Sequence, residues 1–446
     1  MSSLLIKNAQ IITMDPNHTI FTGDLYIEND SIREVGENLN PSSVDKVIDG
    51  TGRIVIPGFI QTHIHLCQTL FRGQADDLEL MDWLQKRVWP LEASHDEESL
   101  YYSALLGIGE LIQSGTTCIV DMETVHHTDS AFQALADSGF RALSGKCMMD
   151  HGNEVPILLR ENTAHSIQES VNLLEKWHNY DHGRIEYAFC PRFVVSCTEE
   201  LLVNVRDLAE QYGVKIHTHA SENRGEIAIV EAERGMRNVV YLDHIGMARE
   251  NLILAHCVHL NDEEKEIIKK RGVKVSHCPG SNLKLASGIS DVPDMIDRAI
   301  HVSLGSDGAP CNNTLDMFHE MRLAAIMHKP AYGPTAMKAR QVFEMATISG
   351  AKAVGMEDKI GSLEVGKKAD LAILNLNKFH SAPWAEVDPI SRIVYTANSG
   401  DVETTIIGGQ IVMENRIMKT IDEKVVLKEA NKSIKRLLKK LPSIQY

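Results

Sequence analysis

Two histidines separated by one residue, His63 and His65, stand where an apolar, strand-like run ends in the stretch VIPGFIQTHIHLCQ. Side chains alternate between the two faces of a strand, so both imidazoles point to the same side. Two imidazoles held side by side at a strand end can bind a metal ion such as zinc. Two polar residues on an exposed edge strand would give the same pattern, so the rest of the chain must decide.

Histidine or aspartate also closes three later strand-like runs, which read KIHTHA, LILAHC and VSLGSDG. These runs place His217 and His219, then His256, then Asp307 at strand ends. In a barrel of parallel strands such ends converge on one face. Three neutral imidazoles and one carboxylate would leave a metal position open to water, as a catalytic site requires. Local pattern alone does not choose between His217 and His219.

The elements that must position these residues alternate between short β-rich runs and longer helical patterns from about residue 54 onward. One amphipathic segment, 201–212, carries its leucines, valine and alanine on a single helical stripe. Eight strand–helix units over this length predict an α/β fold of the (β/α)8 TIM-barrel type, with a doubly wound open sheet as the rival. The predicted strands end near His65, Asp121, Lys146, Pro191, His219, His256, His277 and Asp307.

The sequence pattern at both ends of the chain differs from that of the middle. It predicts short strands separated by turns rich in Asn, Asp and Gly. We expect a small β-sandwich domain built from residues 1–56 and 361–446, the latter including a terminal helix over 423–442. The metal-dependent barrel is expected to occupy residues 57–360. Between the first two barrel strands, a long loop with a helical piece over 80–89 is a candidate lid.

The composition excludes several classes of protein. The net charge of −16 argues against nucleic acid or an anionic membrane as the main partner. None of the eight cysteines forms a C-x-x-C pair, which favours buried free thiols in a reducing cytoplasm. The first residues, MSSLLIKNAQIITMD, form neither a signal peptide nor a membrane span. A cytoplasmic protein acting on a small molecule is the prediction.

Five motifs together resemble the amidohydrolase superfamily: PGFIQTHIHL, HTHASE, AHCVHL, SHCPGSNLKL and LGSDGAP. The resemblance is nearest to the branch that deaminates methylthioadenosine, S-adenosylhomocysteine or 5'-deoxyadenosine, with guanine deaminases and triazine hydrolases related to it. It runs nearly end to end, as far as the segment GSLEVGKKADL. It implies one divalent metal held by His63, His65, His219 and Asp307. Zinc suits these ligands best, and Fe²⁺ or Mn²⁺ fit the same set.

The resemblance also implies a hydrolytic deamination in which metal-bound hydroxide attacks the amino-bearing ring carbon and ammonia is released. Asp307 would accept the water's proton and help deliver it to the departing ammonia. Glu222 would protonate a ring nitrogen, and His256 would hold and polarise the hydroxide. For Glu222 the alternative is a carboxylate that merely stabilises a helix N-terminus.

Three residues are candidates for holding other parts of the substrate. Glu92, in WPLE, resembles a family carboxylate that binds ribose hydroxyls, and a solvated loop acid is the alternative. Arg160 is a candidate for the 5' substituent. His277, in SHCPGSN, either faces the base or braces Asn282.

Two positions, Gln68 and Arg192, depart from the adenosine branch and match guanine deaminases, which use Gln and Arg to read an oxygenated purine. A guanidinium suits a carbonyl oxygen better than an amino group. An ion pair of Arg192 with an acid such as Glu222 or Glu123 is the structural alternative. Against guanine, Glu92 and the segments LFRGQADDLELMDWL and SNLKLASGI resemble the adenosine branch. The function predicted first is therefore deamination of an adenosine-type nucleoside. A guanine-like or s-triazine hydrolase comes second, and a catalytically silent barrel last. The acidic surface and the resemblance favour a homo-oligomer.

Overall fold

The computed structural model describes residues 3–152 and 154–441. The end of the terminal helix predicted at residue 442 therefore lies outside the described residues. In chain order the strands are β1 Ser3–Ile12, β2 Ile20–Glu28, β3 Ser31–Gly36, β4 Lys46–Asp49, β5 Ile54–Pro57, β6 Phe59–Ile64, β7 Thr116–Met122, β8 Arg141–Gly145, β9 Cys147–Met148, β10 Ile185–Pro191, β11 Lys215–Ala220, β12 Leu252–His256, β13 Lys274–His277, β14 His301–Leu304, β15 Leu371–Leu374, β16 Val402–Ile407, β17 Gln410–Glu414 and β18 Ile417–Met418.

The helices alternate with these strands through the middle of the chain. They are α1 Leu80–Trp83, α2 Trp89–Ala93, α3 Glu97–Gln113, α4 Thr128–Ser138, α5 Thr163–Trp177, α6 Tyr180–Gly183, α7 Glu199–Tyr212, α8 Arg224–Arg234, α9 Asn238–His244, α10 Asp262–Arg271, α11 Pro279–Lys284, α12 Val292–Asp297, α13 Ala309–Asn312, α14 Met317–Met327, α15 Lys329–Tyr332, α16 Ala339–Met345, α17 Ile348–Val354, α18 Pro389–Tyr395 and α19 Glu423–Lys440. Short 3₁₀ turns include Leu66–Phe71, and Leu84–Val88 is a π-helical turn between α1 and α2.

The central sheet is a nearly closed parallel barrel in the order β14-β13-β12-β11-β10-β8-β7-β6. The first and last strands meet where the Asp307 backbone N–H donates to the His63 carbonyl over 3.1 Å. Gly305 permits this approach, because a Cβ at that position would lie 2.7 Å from the His63 carbonyl oxygen. The predicted TIM-type (β/α)8 barrel is confirmed, and the doubly wound open sheet is wrong.

Helix α7 shows why the sequence folds locally as it does. The Thr198 hydroxyl accepts the Leu201 backbone N–H at the start, and Gly213 ends the helix in the left-handed region at φ +68°. The predicted stripe is buried against the barrel through Leu201, Leu202, Val205 and Ala209.

A second sheet draws strands from both ends of the chain, in the order β18-β17-β16-β15-β5-β1-β2-β3 with β4 beside β1. Strand β5 lies between β1 and β15 and so joins the two ends. We retain the division at residues 57 and 361 as a proposal, supported by the change of sheet between β5 and β6. Helix α19 buries Val426, Ala430 and Leu437. Among the residues described, no helix is long and apolar enough to cross a membrane.

Candidate active site

His65 and His219 each present an unprotonated ring nitrogen to the same point at the carboxyl end of the barrel. The Nδ1–H of His65 donates to the Met122 carbonyl oxygen over 2.8 Å. That of His219 donates to the Arg192 carbonyl oxygen over 2.6 Å. A carbonyl oxygen can only accept, so these contacts fix the tautomer and leave Nε2 as a lone pair in each neutral ring. Burial lowers the pKa of both imidazoles, which keeps them neutral.

His63 also has its proton on Nδ1 and an unprotonated Nε2, because its Nδ1 contacts a second histidine. The Nδ1–H of His217 donates to the Ile253 carbonyl oxygen over 3.2 Å, which leaves its Nε2 as an acceptor. The His63 Nδ1–H donates to that Nε2 over 2.7 Å. His63 Nε2 is buried and has no hydrogen-bond partner in the described part of the chain. Burial lowers the pKa of His63 to about 3. The structure therefore places His217 behind the site and His219 in it.

Asp307 completes the cluster. Its Oδ1 lies 3.3 Å from both His63 Nε2 and His65 Nε2. The carboxylate is oriented by the Ser281 hydroxyl, which donates to Oδ2 over 2.6 Å, and by the Gly308 N–H, which donates to Oδ1 over 2.7 Å. Burial opposes ionisation, but the adjacent histidines hold the pKa of Asp307 well below its usual range. The residue has a φ of +63°, a conformation with a cost that surrounding contacts must offset.

The donor set fits a divalent metal ion. His65 Nε2 and His219 Nε2 lie 3.3 Å apart, although neither has a proton to share. Metal–nitrogen bonds of about 2.0–2.1 Å in a tetrahedron place neighbouring ligands about 3.3 Å apart. His63, His65, His219 and Asp307 are therefore the residues that would hold such an ion, which is the set that the resemblance implies.

His256 and Glu222 face this cluster from the next strands. The His256 Nδ1–H donates to the Asn282 side-chain oxygen over 2.9 Å, and its Nε2 lies 3.5 Å from Glu222 Oε2 and 3.9 Å from Asp307 Oδ2. Burial disfavours the charged imidazole, yet Glu222 and Asp307 raise the pKa of His256.

Glu222 is not the cap of the helix that follows it. The α8 N-terminus is capped by Asn223, and the Glu226 carboxylate accepts the Glu222 backbone N–H over 2.8 Å. The Glu222 side chain is free to turn into the cavity, where Ser287 donates to it over 3.4 Å. Burial raises the pKa of Glu222 to about 7, so the carboxyl keeps its proton in mildly acidic and near-neutral solution. Glu222 therefore does not cap this helix.

A cavity opens over these groups. Its apolar wall comes from the predicted lid and from two other loops: Leu80, Trp83, Leu84, Phe193 and Leu285. The lid is helical over residues 80–93, and the middle turn of this piece is π-helical. The Trp83 indole N–H is buried without a partner among the described residues. Phe193 and Leu285 lacked any sequence signal, because apolar loop residues resemble ordinary core positions.

Glu92, Gln68 and Arg192 form one buried network beside the cavity. Arg192 donates from Nη1 to Glu92 Oε2 over 2.6 Å and from Nη2 to Oε1 over 3.2 Å. Gln68 donates from Nε2 to Glu92 Oε1 over 2.8 Å. Burial opposes the charge of Arg192, but Glu92 raises its pKa above the usual value. Glu92 is therefore not a solvated loop acid, and it takes the place of Glu222 or Glu123 as the ion-pair partner of Arg192.

Three predicted substrate residues, Glu92, Arg160 and His277, do not line this cavity. Arg160 is exposed, with its guanidinium 3.5 Å from the Gly152 carbonyl oxygen. His277 is buried next to the His328 ring, and neither of its ring nitrogens has a partner within the described ranges. It does not brace Asn282, whose oxygen is engaged by His256. Roles for Arg160 and His277 in binding substrate stay predictions.

A barrel with three imidazoles and a carboxylate converging at the carboxyl ends of its strands is the architecture of a metal-binding barrel enzyme. The Amidohydrolase family model matches residues 54–412, and the chain belongs to that family.

Relatives of known name agree with this assignment. The chain is 42% identical to the 5'-deoxyadenosine deaminase of Methanobrevibacter smithii, with 98% of each chain covered. It is 40% identical to the 5-methylthioadenosine/S-adenosylhomocysteine deaminase of Syntrophomonas wolfei, over 98% of this chain and all of that one. A zinc-bound adenosine deaminase from Xanthomonas campestris superposes with a TM-score of 0.92 at 31% identity, over 98% and 99% of the two chains. The chain is an aminohydrolase, which excludes a catalytically silent barrel.

Proposed function

We propose that the chain hydrolytically deaminates an adenosine-type nucleoside, namely 5'-deoxyadenosine, methylthioadenosine or S-adenosylhomocysteine. The observation that carries this proposal is the position of Glu222. A carboxyl group whose pKa burial raises to about 7 faces the same cavity as the converging ring nitrogens and Asp307. It can donate a proton to the ring nitrogen next to the carbon that water attacks. Deamination of an aromatic ring requires this proton transfer.

Zinc is the metal we infer, held by His63, His65, His219 and Asp307. The donor set is rich in imidazole, and the Xanthomonas campestris structure holds zinc. A divalent ion bound there supplies water whose pKa is lowered towards about 7.

Each remaining step belongs to side chains of this chain. Asp307 takes a proton from the attacking water, while His256 Nε2 holds the water's oxygen in line with the ring carbon. Glu222 donates its proton to the neighbouring ring nitrogen, which makes that carbon electrophilic. The proton held by Asp307 then goes to the amino group, the carbon–nitrogen bond breaks, and ammonia leaves. The proton that remains on the added hydroxyl passes to the ionised Glu222 and restores its acid form. The ring therefore keeps a proton on its nitrogen and a carbonyl oxygen from water, and atoms and charge balance.

A guanine-like purine or an s-triazine is the second candidate substrate. Gln68 and Arg192 both line the cavity, as expected of a site that reads a polar ring edge. An ammonia-release screen over adenosine, 5'-deoxyadenosine, methylthioadenosine, guanine and melamine separates the candidates. We expect release from the nucleosides. Release from guanine or melamine alone would overturn the first choice.

We also infer a cytoplasmic location, which the eight free and buried thiols support. The homo-oligomer is a prediction that sedimentation of the purified chain tests.

A further inference from the structure

The amide of Gln68 has a defined orientation because of its neighbour Glu92. A carboxylate can only accept hydrogen bonds, and Glu92 Oε1 lies 2.8 Å from the Gln68 amide. The nitrogen must therefore face Glu92, and the amide oxygen must point the other way. Rotating the amide by half a turn would oppose two oxygens at that distance.

Glu92 cannot turn away to release the amide, because Arg192 holds both of its oxygens through two hydrogen bonds. All three side chains are buried, at 0% exposure for Gln68, 3% for Glu92 and 4% for Arg192. A two-pronged guanidinium–carboxylate contact fixes direction as well as distance. The network therefore acts as a rigid support for one end of the Gln68 side chain.

The other end, Gln68 Oε1, is buried without a hydrogen-bond partner among the described residues. It lies against Gly308, where an added Cβ would come within 2.1 Å of it. Gly308 follows Asp307, the residue to which we assign proton transfer to the departing amino group. A buried acceptor left unpaired destabilises the protein, so the site fits a ligand that brings a donor.

We propose that Gln68 is a specificity-determining residue that recognises an N–H of the amino group on the substrate ring, and that Glu92 is the positioning residue that fixes it. This inference rests on the proposed function and deepens it. The product carries a carbonyl oxygen where the substrate carried the amino group. Two acceptors would then face each other, so the site favours the amino-bearing substrate and weakens product binding.

The same network changes the role expected for Glu92. The resemblance assigned it to ribose hydroxyls, yet Arg192 and Gln68 engage both of its oxygens. Glu92 therefore acts on the ring through Gln68.

The test is the variant Glu92→Gln in the metal-loaded enzyme. Arg192 retains the oxygen of the new amide, so its nitrogen faces Gln68 and turns the Gln68 amide over. The cavity then meets an N–H in place of an oxygen. We measure KM for 5'-deoxyadenosine and the competitive Ki for its 6-oxo product, 5'-deoxyinosine. The ratio of product Ki to substrate KM is expected to fall by about tenfold or more.

A second variant, Gln68→Met, removes the amide at similar length and serves if Glu92→Gln does not fold. Here we expect a higher KM for the amino substrate with no loss of product affinity. The matched control is Asp370→Asn, which breaks another buried ion pair, in which Arg141 donates to Asp370 over 2.6 Å. It lowers thermal stability but leaves the ratio unchanged.

The inference is overturned if both KM and Ki rise together in Glu92→Gln, because ribose contact or general damage affects substrate and product alike. It is also overturned if Gln68→Met leaves the ratio unchanged. Failure of the proposed function is a different result, since the wild-type enzyme would then release no ammonia from any adenosine-type nucleoside.

Discussion

The Nε2 atoms of His65 and His219 lie 3.3 Å apart, although each ring already donates its only N–H to a backbone carbonyl. Two lone pairs at that distance repel one another unless a cation lies between them. The backbone of neighbouring strands therefore selects the tautomers that a metal requires before any metal binds. The proposed metal site can therefore be tested by measuring the metal content of the purified protein as well as its activity.

Substituting His65→Ala removes one of these nitrogens and opens the cluster to solvent. We expect metal content, measured by inductively coupled plasma mass spectrometry, to fall by about tenfold or more. The control is His328→Ala, a buried histidine outside the cavity, which is expected to retain the metal. Equal metal content in both variants would contradict the ligand assignment.

Chelation of the wild-type enzyme is expected to abolish ammonia release and to lower the melting temperature, because an ion that binds only the folded state stabilises it. Adding zinc should restore both properties. Activity that survives complete removal of the metal would contradict the proposed site.

Replacing Asp307 by Asn keeps the shape of the side chain and removes its proton-accepting charge. We expect kcat to fall by about 10²–10⁴-fold while circular dichroism and the cooperative thermal transition are retained. If the variant is less stable to heat but its folded fraction keeps the wild-type kcat, Asp307 has a structural role only.

The dependence of kcat on pH is expected to follow the ionisation of the Glu222 carboxyl group. Burial raises its pKa to about 7, so the acid form that donates the proton is present below that pH and is lost above it. We expect kcat to decline as the pH rises through about 7, and Glu222→Gln to lack this decline while losing about 10²–10⁴-fold in rate. An unchanged alkaline limb in the variant would assign the decline to another group.

The lid offers a pair of matched tryptophans. The indole N–H groups of Trp83 and Trp89 are both buried without a partner in the described part of the chain, but only Trp83 lines the cavity. Trp83→Phe is therefore expected to raise KM by about fivefold or more, whereas Trp89→Phe leaves KM unchanged. Similar changes in the two variants would indicate a general effect on lid packing.

The barrel and its strand ends could be predicted because they depend on short-range patterns. Alternation along a strand puts His63 and His65 on one face, and apolar runs followed by polar residues mark where strands stop. The observed barrel strands end within about three residues of their predicted positions, from β6 at Ile64 to β14 at Leu304. The helical piece of the lid, predicted over residues 80–89, is observed over residues 80–93.

The choice between His217 and His219 needed contacts that no local pattern holds. Both lie on the same strand face, and only the observed bond from His63 to His217 places His217 below the site. The partner of Arg192 was hidden for the same reason, since Glu92 lies a hundred residues earlier in the chain.

The sequence by itself determined the barrel, the residue types of the site and the strand ends that carry them, because periodicity and local chemistry are written along the chain. Only the tertiary structure decided which nitrogens carry protons, which way Gln68 turns its amide and which acid holds Arg192. Those properties depend on hydrogen-bond partners that come from separate strand–helix units, and the closing of the barrel brings them together.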